Sequence, residues 1–268
     1  MNEEIKSCRS KALSAAEVLA LDNLAVHRFG IPPCVLMENA GRTVAQEILR
    51  QLRPIKKPFV VIVCGFGNNA GDGFVVARHL AEANVIARTF VTGKGHSLKP
   101  DAALNLKILK KLKLPVYAIK GIDTFAAPQH RSLGQSLKGP LSINPKHAPA
   151  FRSKLVEGVD KRFLRSIERS DLIVDAIFGV GLSRPVDEPF KSVIETINQS
   201  HQRVLAVDVP SGLDATTGRM HGVCIQAHTT VALTCPKKGF YKNDGPRHVG
   251  RIVVADIGIP KVLLRMKR

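Results

Sequence analysis

Apolar residues recur along this chain in two rhythms, and the first is helical. Ser14-x-x-Glu17 has the form of a capping box, and Ala15, Val18, Leu19, Leu21, Ala25, Val26 and Phe29 supply an apolar face before Gly30 and the Pro32-Pro33 break. A second helix is predicted from about Cys34 to Arg50, with Val35, Met37, Ala40, Gly41, Val44, Ala45 and Ile48 as its packing stripe. Glu38 and Arg42 fall four apart on that helix and are expected to pair on its surface.

From Phe59 onward short apolar runs alternate with helical stretches. Strands are predicted over 59–64, 85–92, 114–119, 171–175 and 203–208, and helices over 74–83, 101–112, 159–169 and 187–199. Such alternation requires right-handed crossovers and hence a parallel sheet. Runs 229–234 and 251–256 have no helical pattern between them, so a hairpin-like pair is expected at the sheet edge. The alternation is interrupted from Gly121 to Ala150 by Pro128, Pro140, Pro145 and Pro149, which predicts a long loop or insert. The whole is expected to form a single α/β domain over residues 1–268.

Between the first strand and the helix at 74 lies the segment Cys64-Gly-Phe-Gly-Asn-Asn-Ala-Gly-Asp-Gly-Phe74, read as a ligand loop. Its glycines allow close approach of a bound molecule, while Asn68, Asn69 and Asp72 offer oxygens to hydroxyls, amides or a cation. Gly65-x-Gly67-x-x-Ala70 also fits a dinucleotide fingerprint, but the second strand ends in Thr89, Phe90, Val91 and Thr92 without the acid that would hold a ribose. Two more strands end in acids, Asp175 and Asp208. Each is followed by an irregular loop, one running through Gly179, Gly181, Ser183 and Arg184, the other through Ser211, Gly212 and Asp214. In a parallel sheet the carboxyl ends of strands line one crevice, so these three segments are expected to converge. Asn69, Asp175 and Ser211 together offer hard oxygen ligands suited to an alkali cation. A carboxylate such as Asp208 beside a reacting carbon can act as general acid and base.

Composition narrows the classes. With 268 residues, 44% of them hydrophobic, the chain can bury a full core. It has no apolar run of membrane-spanning length and no apolar leader, so a soluble, cytoplasmic protein is expected. Cys8, Cys34, Cys64, Cys224 and Cys235 are scattered and without a CxxC pair, which reads as reduced and mostly buried thiols. A net charge of +18 permits weak contact with nucleic acid. From Gln129 to Ser170 nine basic residues stand against three acids, with no aromatic stacking platform, which reads as a solvated basic insert.

Several segments carry a resemblance. Leu36-Met-Glu-Asn-Ala-Gly41, Gly67-Asn-Asn-Ala-Gly-Asp-Gly73, Val174-Asp-Ala-Ile-Phe-Gly-Val-Gly181 and Val207-Asp-Val-Pro-Ser-Gly-Leu-Asp214 resemble the NAD(P)H-hydrate epimerase family, the YjeF N-terminal fold. Thr217-Gly218, Pro236-Lys-Lys-Gly239 and Asp256-Ile-Gly-Ile-Pro260 extend the likeness over nearly all of the chain outside the region 121–165. The resemblance implies a Rossmann-like three-layer fold, a mostly parallel central sheet flanked by helices. It further implies an isomerase that interconverts the R and S epimers of hydrated NADH and NADPH (NADHX and NADPHX), which carry a hydroxyl on nicotinamide C6. By that likeness, substrate binding falls to Asn68, Asn69, Ala70, Gly71, Asp72, Gly179, Val180, Gly181, Leu182, Ser183, Arg184, Pro185 and Asp208, with Asp208 catalytic. Asn69, Asp175 and Ser211 would hold potassium. Ala70 stands where the family commonly has glycine, which a negative φ would accommodate. A separate NAD(P)H-hydrate dehydratase is expected to act downstream, and the two N-terminal helices could cover the sheet or meet a second copy in a homodimer. The competing reading is a noncatalytic nucleotide- or RNA-binding scaffold module on the same fold, favoured by the net charge. Intact Asp175, Asp208, Asn68 and Asn69 favour catalysis.

Overall fold

A computed structural model describes residues 12–92, 97–119 and 160–265; the insert expected near 121–165 falls almost wholly outside the described residues, as does Cys8. In chain order the elements are α1 (Ala15–His27), α2 (Pro33–Leu52), β1 (Phe59–Cys64), α3 (Asn68–Glu82), β2 (Ile86–Val91), α4 (Pro100–Lys111), β3 (Val116–Ala118), α5 (Lys161–Arg169), β4 (Leu172–Ala176), α6 (Phe190–Gln199), β5 (Val204–Val207), β6 (Thr229–Leu233), α7 (Gly245–His248), β7 (Arg251–Ala255) and α8 (Lys261–Arg265). A 3₁₀ turn, Lys238–Tyr241, precedes α7. The sheet runs β3-β2-β1-β4-β5-β6-β7, and every described pairing is parallel.

Strand alternation builds the three layers. Val60, Ile62, Val174, Leu205 and Val207 point into one core with α2, α3 and α4, where Val44, Ile48, Phe74 and Leu80 meet them. Val61, Val63, Ile173, Val204 and Ala206 point the other way, against Phe163 and Ile167 of α5 and Val193, Ile194 and Ile197 of α6. Central strands β1 and β4 are therefore covered on both faces, which is why β1 reads as an unbroken apolar run and β4 as one broken only at Asp175.

The capping box of α1 forms as its spacing predicts, Ser14 Oγ accepting from Glu17 N while Glu17 Oε2 accepts from Ser14 N. Three expectations are corrected. β6 and β7 are parallel neighbours, not a hairpin-like pair. The 3₁₀ turn and α7 that carry the chain across are four residues each, too short to show a periodic pattern. Glu38 does not pair with Arg42; it faces α3 and takes Arg78 and His79, the latter at 2.8 Å. The glycine-rich segment is a loop only to Gly67, since α3 begins at Asn68. Ala70 is thus a fully buried helical residue, and its methyl group meets no backbone constraint.

Gly73 shows what the glycines do inside that helix. A Cβ there would lie 2.7 Å from Ala176 Cβ and 2.8 Å from Cys64 Sγ, so the bare backbone lets α3 lie directly on β1 and β4. Helix propensity favours alanine over glycine by about 1 kcal/mol, whereas overpacking a rigid core costs about 1–3 kcal/mol. Both contacts are anchored in strands, so the clash wins. Gly73→Ala is expected to lower stability by about 1–2 kcal/mol in urea denaturation, and a variant as stable as the parent would show that α3 can move off the sheet.

Candidate active site

The chain leaves β1 for β2 on one side and later returns to β4 on the other, so the strand order reverses between β1 and β4. The carboxyl ends of these two strands therefore diverge and open a crevice. Asn68, Asn69 and Asp72 enter it from the first turns of α3, the Gly179–Arg184 loop from the end of β4, and Asp208 from the end of β5.

Asp208 is 6% exposed and held on both oxygens. Oδ1 accepts from Lys237 Nζ in a short ion pair and from Leu233 N at 3.3 Å; Oδ2 accepts from Val180 N at 3.2 Å. Three donors, one of them an ammonium, make it an ionised acceptor. Its backbone adopts φ +67°, a left-handed conformation that costs about 1–2 kcal/mol for most residues and is tolerated best by Asp and Asn. Lys237 is fully buried, and its remaining protons go to the carbonyls of Leu233 at 2.9 Å and Cys235 at 3.1 Å.

Beneath the crevice lies a second polar knot. Asp175, with no exposed surface, accepts from Ser211 N at 2.8 Å, Ser211 Oγ at 2.6 Å and Ile177 N at 3.2 Å. Burial pushes its carboxyl up to about 6 against the lowering effect of the Ser211 hydrogen bonds. Ser211 Oγ in turn accepts from Phe178 N at 2.8 Å, and Asn69 Nδ2 donates to Phe178 O at 3.0 Å. Asn69 and Ser211 thus hold the main chain of Phe178 in the loop after β4, and Asp175 braces Ser211 from beneath. Gly212 makes this possible: with φ +98° it turns the chain where a Cβ would stand 1.9 Å from Val223 O. Asn69 Oδ1 is buried and finds no hydrogen-bond partner among the described residues, an orphan acceptor of the kind a cation satisfies. Among those residues no group of three or more His, Cys, Asp or Glu could hold a metal ion, so the donors on hand are amide, hydroxyl, carbonyl and one carboxylate.

The cavity above this knot measures about 410 Å³ and opens beside a second of about 380 Å³. Asp22 of α1 and Asp72 of α3 line both. Burial first, and the Asp208 charge second, push the Asp22 carboxyl up to about 6, with Lys237 opposing. Asp72 is raised well above the usual carboxylate range by burial and by the charges of Asp208 and Asp22.

Of the residues singled out from the sequence, Asn68, Asn69, Asp72, Gly179–Arg184 and Asp208 line the larger cavity. Ala70 is sealed in the core and Gly71 lies against Met37, both turned away from the cavity, and Pro185 is outside its lining. Leu36, Met37 and Ala40 of the first family-like segment line the neighbouring cavity, while Asn39 Nδ2 bonds Ile257 O at 3.1 Å. Sequence reasoning passed over Asp22 and Lys237. A signal for Asp22 existed: it occupies an apolar stripe with Val18, Leu21 and Ala25, where a carboxylate is out of place. Lys237 stood in the family-like segment Pro236–Gly239, but nothing local set its charge apart among 40 basic residues.

Comparison with known proteins gives the chain's family and fold relatives. A family model described as "YjeF-related protein N-terminus" matches residues 33–239. A "Bifunctional NAD(P)H-hydrate repair enzyme Nnr" of Moorella thermoacetica is 36% identical over 94% of this chain, which spans only 41% of that protein. An "NAD(P)H-hydrate epimerase" of Pirellula staleyi is 34% identical over 91% of each chain. The crystal structure of yeast ynu0 (YNL200c) superposes with a TM-score of 0.64 at 27% identity, over 85% of this chain and 82% of that one.

The Asp208–Lys237 pair makes a sharp prediction. Removing one member of a buried ion pair strands the other charge and typically costs about 3–5 kcal/mol. Lys237→Met should lose stability on that scale in urea denaturation at pH 7, and the double variant with Asp208→Asn should regain part of it. A loss under about 1 kcal/mol in the single variant would mean that the pair contributes little.

Proposed function

The chain belongs to the family of YjeF-related protein N-termini, and from that premise we propose that it is an NAD(P)H-hydrate epimerase. Its substrates would be NADHX and NADPHX, and a stereospecific dehydratase would consume one epimer. The observation that carries this reading is the crevice at the β1/β4 switch point, where an ionised, strained Asp208 shares a cavity with the Asn68–Asn69 turn and the Gly179–Arg184 loop. Epimerisation at C6 requires the hydroxyl to leave and return with the opposite configuration, so protons must move at that oxygen while positive charge develops on the ring. Asp208 supplies both a proton acceptor and a negative field for that charge. Ser183 and Arg184, at the rim, are placed to meet polar parts of a dinucleotide, Arg184 being suited to phosphate oxygens.

A potassium ion at Asn69, Asp175 and Ser211 fits this reading, because among the described residues the orphan Asn69 Oδ1 and the buried Asp175 both lack a positive partner. Bound there, the ion would supply positive charge beneath the loop after β4. The chain's own residues hold that loop by Phe178 and present Val180 N to Asp208.

Two outcomes follow. Exchange between the R and S hydrates, read through a separate S-specific dehydratase, should be accelerated by the parent protein and slowed by about 100-fold or more in Asp208→Asn, with the thermal midpoint showing the variant folded. Undiminished turnover in that variant would remove Asp208 from the chemistry. Potassium should raise the thermal midpoint more than sodium does, and the difference should vanish in Asn69→Ala. Equal responses in parent and variant would remove the cation from that position.

A further inference from the structure

Besides Asp208 and Asp72, the cavity holds a third carboxyl, Asp22, whose circumstances are the reverse of those of Asp208. Asp22 projects from α1, an element outside the three sheet loops that build the crevice, and lines both cavities. α1 is fastened over the site by the segment that bears Lys237. Leu13 N donates to Pro236 O at 2.9 Å, Lys238 N donates to Leu13 O at 2.7 Å, and Lys238 Nζ reaches Glu17 at 2.7 Å. The same short stretch therefore neutralises Asp208 through Lys237 and sets α1, with Asp22, against the cavity. Asp208 has three donors, whereas Asp22 has no hydrogen bond or ion pair among the described residues.

We propose that Asp22 is the proton donor of this site, working with Asp208 as the acceptor; this rests on the epimerase reading. The Asp22 carboxyl gives its proton to the C6 hydroxyl, the C6–O bond breaks, and water departs with the bonding pair. The ring nitrogen lone pair forms the N1=C6 bond, leaving a cation beside two carboxylates. Water then adds to the opposite face of C6, its electron pair forming the new C6–O bond. The proton it sheds passes to Asp208, and transfer from Asp208 back to Asp22 through solvent restores both groups. No oxidant, reductant or further reactant is needed. Two carboxyl groups in one cavity with opposed environments are the arrangement such a division of labour requires.

The groups facing Asp22 set the sign of its pH dependence. Burial and the Asp208 charge hold the proton on it, and Lys237 opposes them. Lys99 and Arg184 lie on the lining of the larger cavity, and His27 and Asp101 on that of the smaller one. Burial and the Asp208 charge prevail, pushing Asp22 up to about 6. An acid that must be protonated loses activity as pH rises through its folded value, so kcat/KM should fall on the alkaline side of pH 6 in the free enzyme.

The experiment compares parent, Asp22→Asn and Asp22→Glu in the hydrate exchange assay from pH 5 to 9, with thermal melts and NADPH binding as folding and ligand readouts. Asp22→Asn is expected to lower kcat by about 100-fold, to change NADPH affinity by less than about threefold, and to lose the alkaline limb. Asp22→Glu should recover part of the rate with a displaced limb. The inference is overturned if Asp22→Asn keeps kcat within about threefold and retains the limb, or if only KM changes, which would make Asp22 a binding residue. Should Asp22→Asn melt early, Asp22→Ser replaces it under the same criteria. A parent protein that does not exchange the epimers at any pH would instead defeat the epimerase reading and this inference with it.

Discussion

A lysine ammonium with no exposed surface is the constraint around which the site is organised. Three acceptors surround Lys237 Nζ, the carboxylate of Asp208 and the carbonyls of Leu233 and Cys235. Taking both charges out of water costs several kcal/mol per ion, which attraction recovers only when the remaining protons and lone pairs are satisfied. Here they are, and the geometry that satisfies them reaches far. It fixes the turn after β6, holds Asp208 at a positive φ, and engages Val180 N from the loop after β4. Because Pro236 and Lys238 flank the same lysine and bond Leu13, the entry of the chain into α1 is fixed by the same stretch.

The polar groups of the crevice form two layers with different tasks. Above, Asp22, Asp72 and Asp208 share a cavity in which Lys237 pairs with Asp208, so burial and the Asp208 charge push the other two carboxyls above the usual carboxylate range. Below, Asp175 holds Ser211, and Ser211 and Asn69 clamp the main-chain N and O of Phe178 at the root of the loop that reaches Asp208. Such hydrogen-bonded networks in low dielectric specify position strongly, and the loop is set by backbone contacts more than by its own exposed side chains. The proposed chemistry needs this, because an acceptor displaced by about 1 Å loses much of its catalytic effect.

The segment resembling an epimerase at Leu36–Gly41 acts differently from the segments at the strand ends. Gly41 lets α2 come close to α3, since a Cβ there would fall 2.5 Å from Val75 Cγ1, and Glu38 joins Arg78 and His79 across the same contact. Its sequence therefore records how two helices meet, and the meeting positions Asn68, Asn69 and Asp72 over the sheet. Family likeness in a segment thus covers an architectural task as well as the lining that Leu36, Met37 and Ala40 give the smaller cavity.

Periodicity along the chain determined the parallel α/β architecture, because buried strands and amphipathic crossovers leave different spacings, and the acids at the ends of β4 and β5 were visible as polar residues closing apolar runs. The convergence of Asn69, Asp175 and Ser211 was legible for the same reason, since strand ends of a parallel sheet share one edge. Tertiary structure alone decided the rest. The parallel crossover to β7 depends on two four-residue turns that no periodic signal can mark. The helical start at Asn68 follows from α3 lying on the sheet, which overrides the loop character of a glycine-rich sequence. Lys237 meets Asp208 across 29 residues, and Asp22 comes to the same cavity from the first described helix. Pairings of that range arise from how the whole chain is packed, and local sequence carries no term for them.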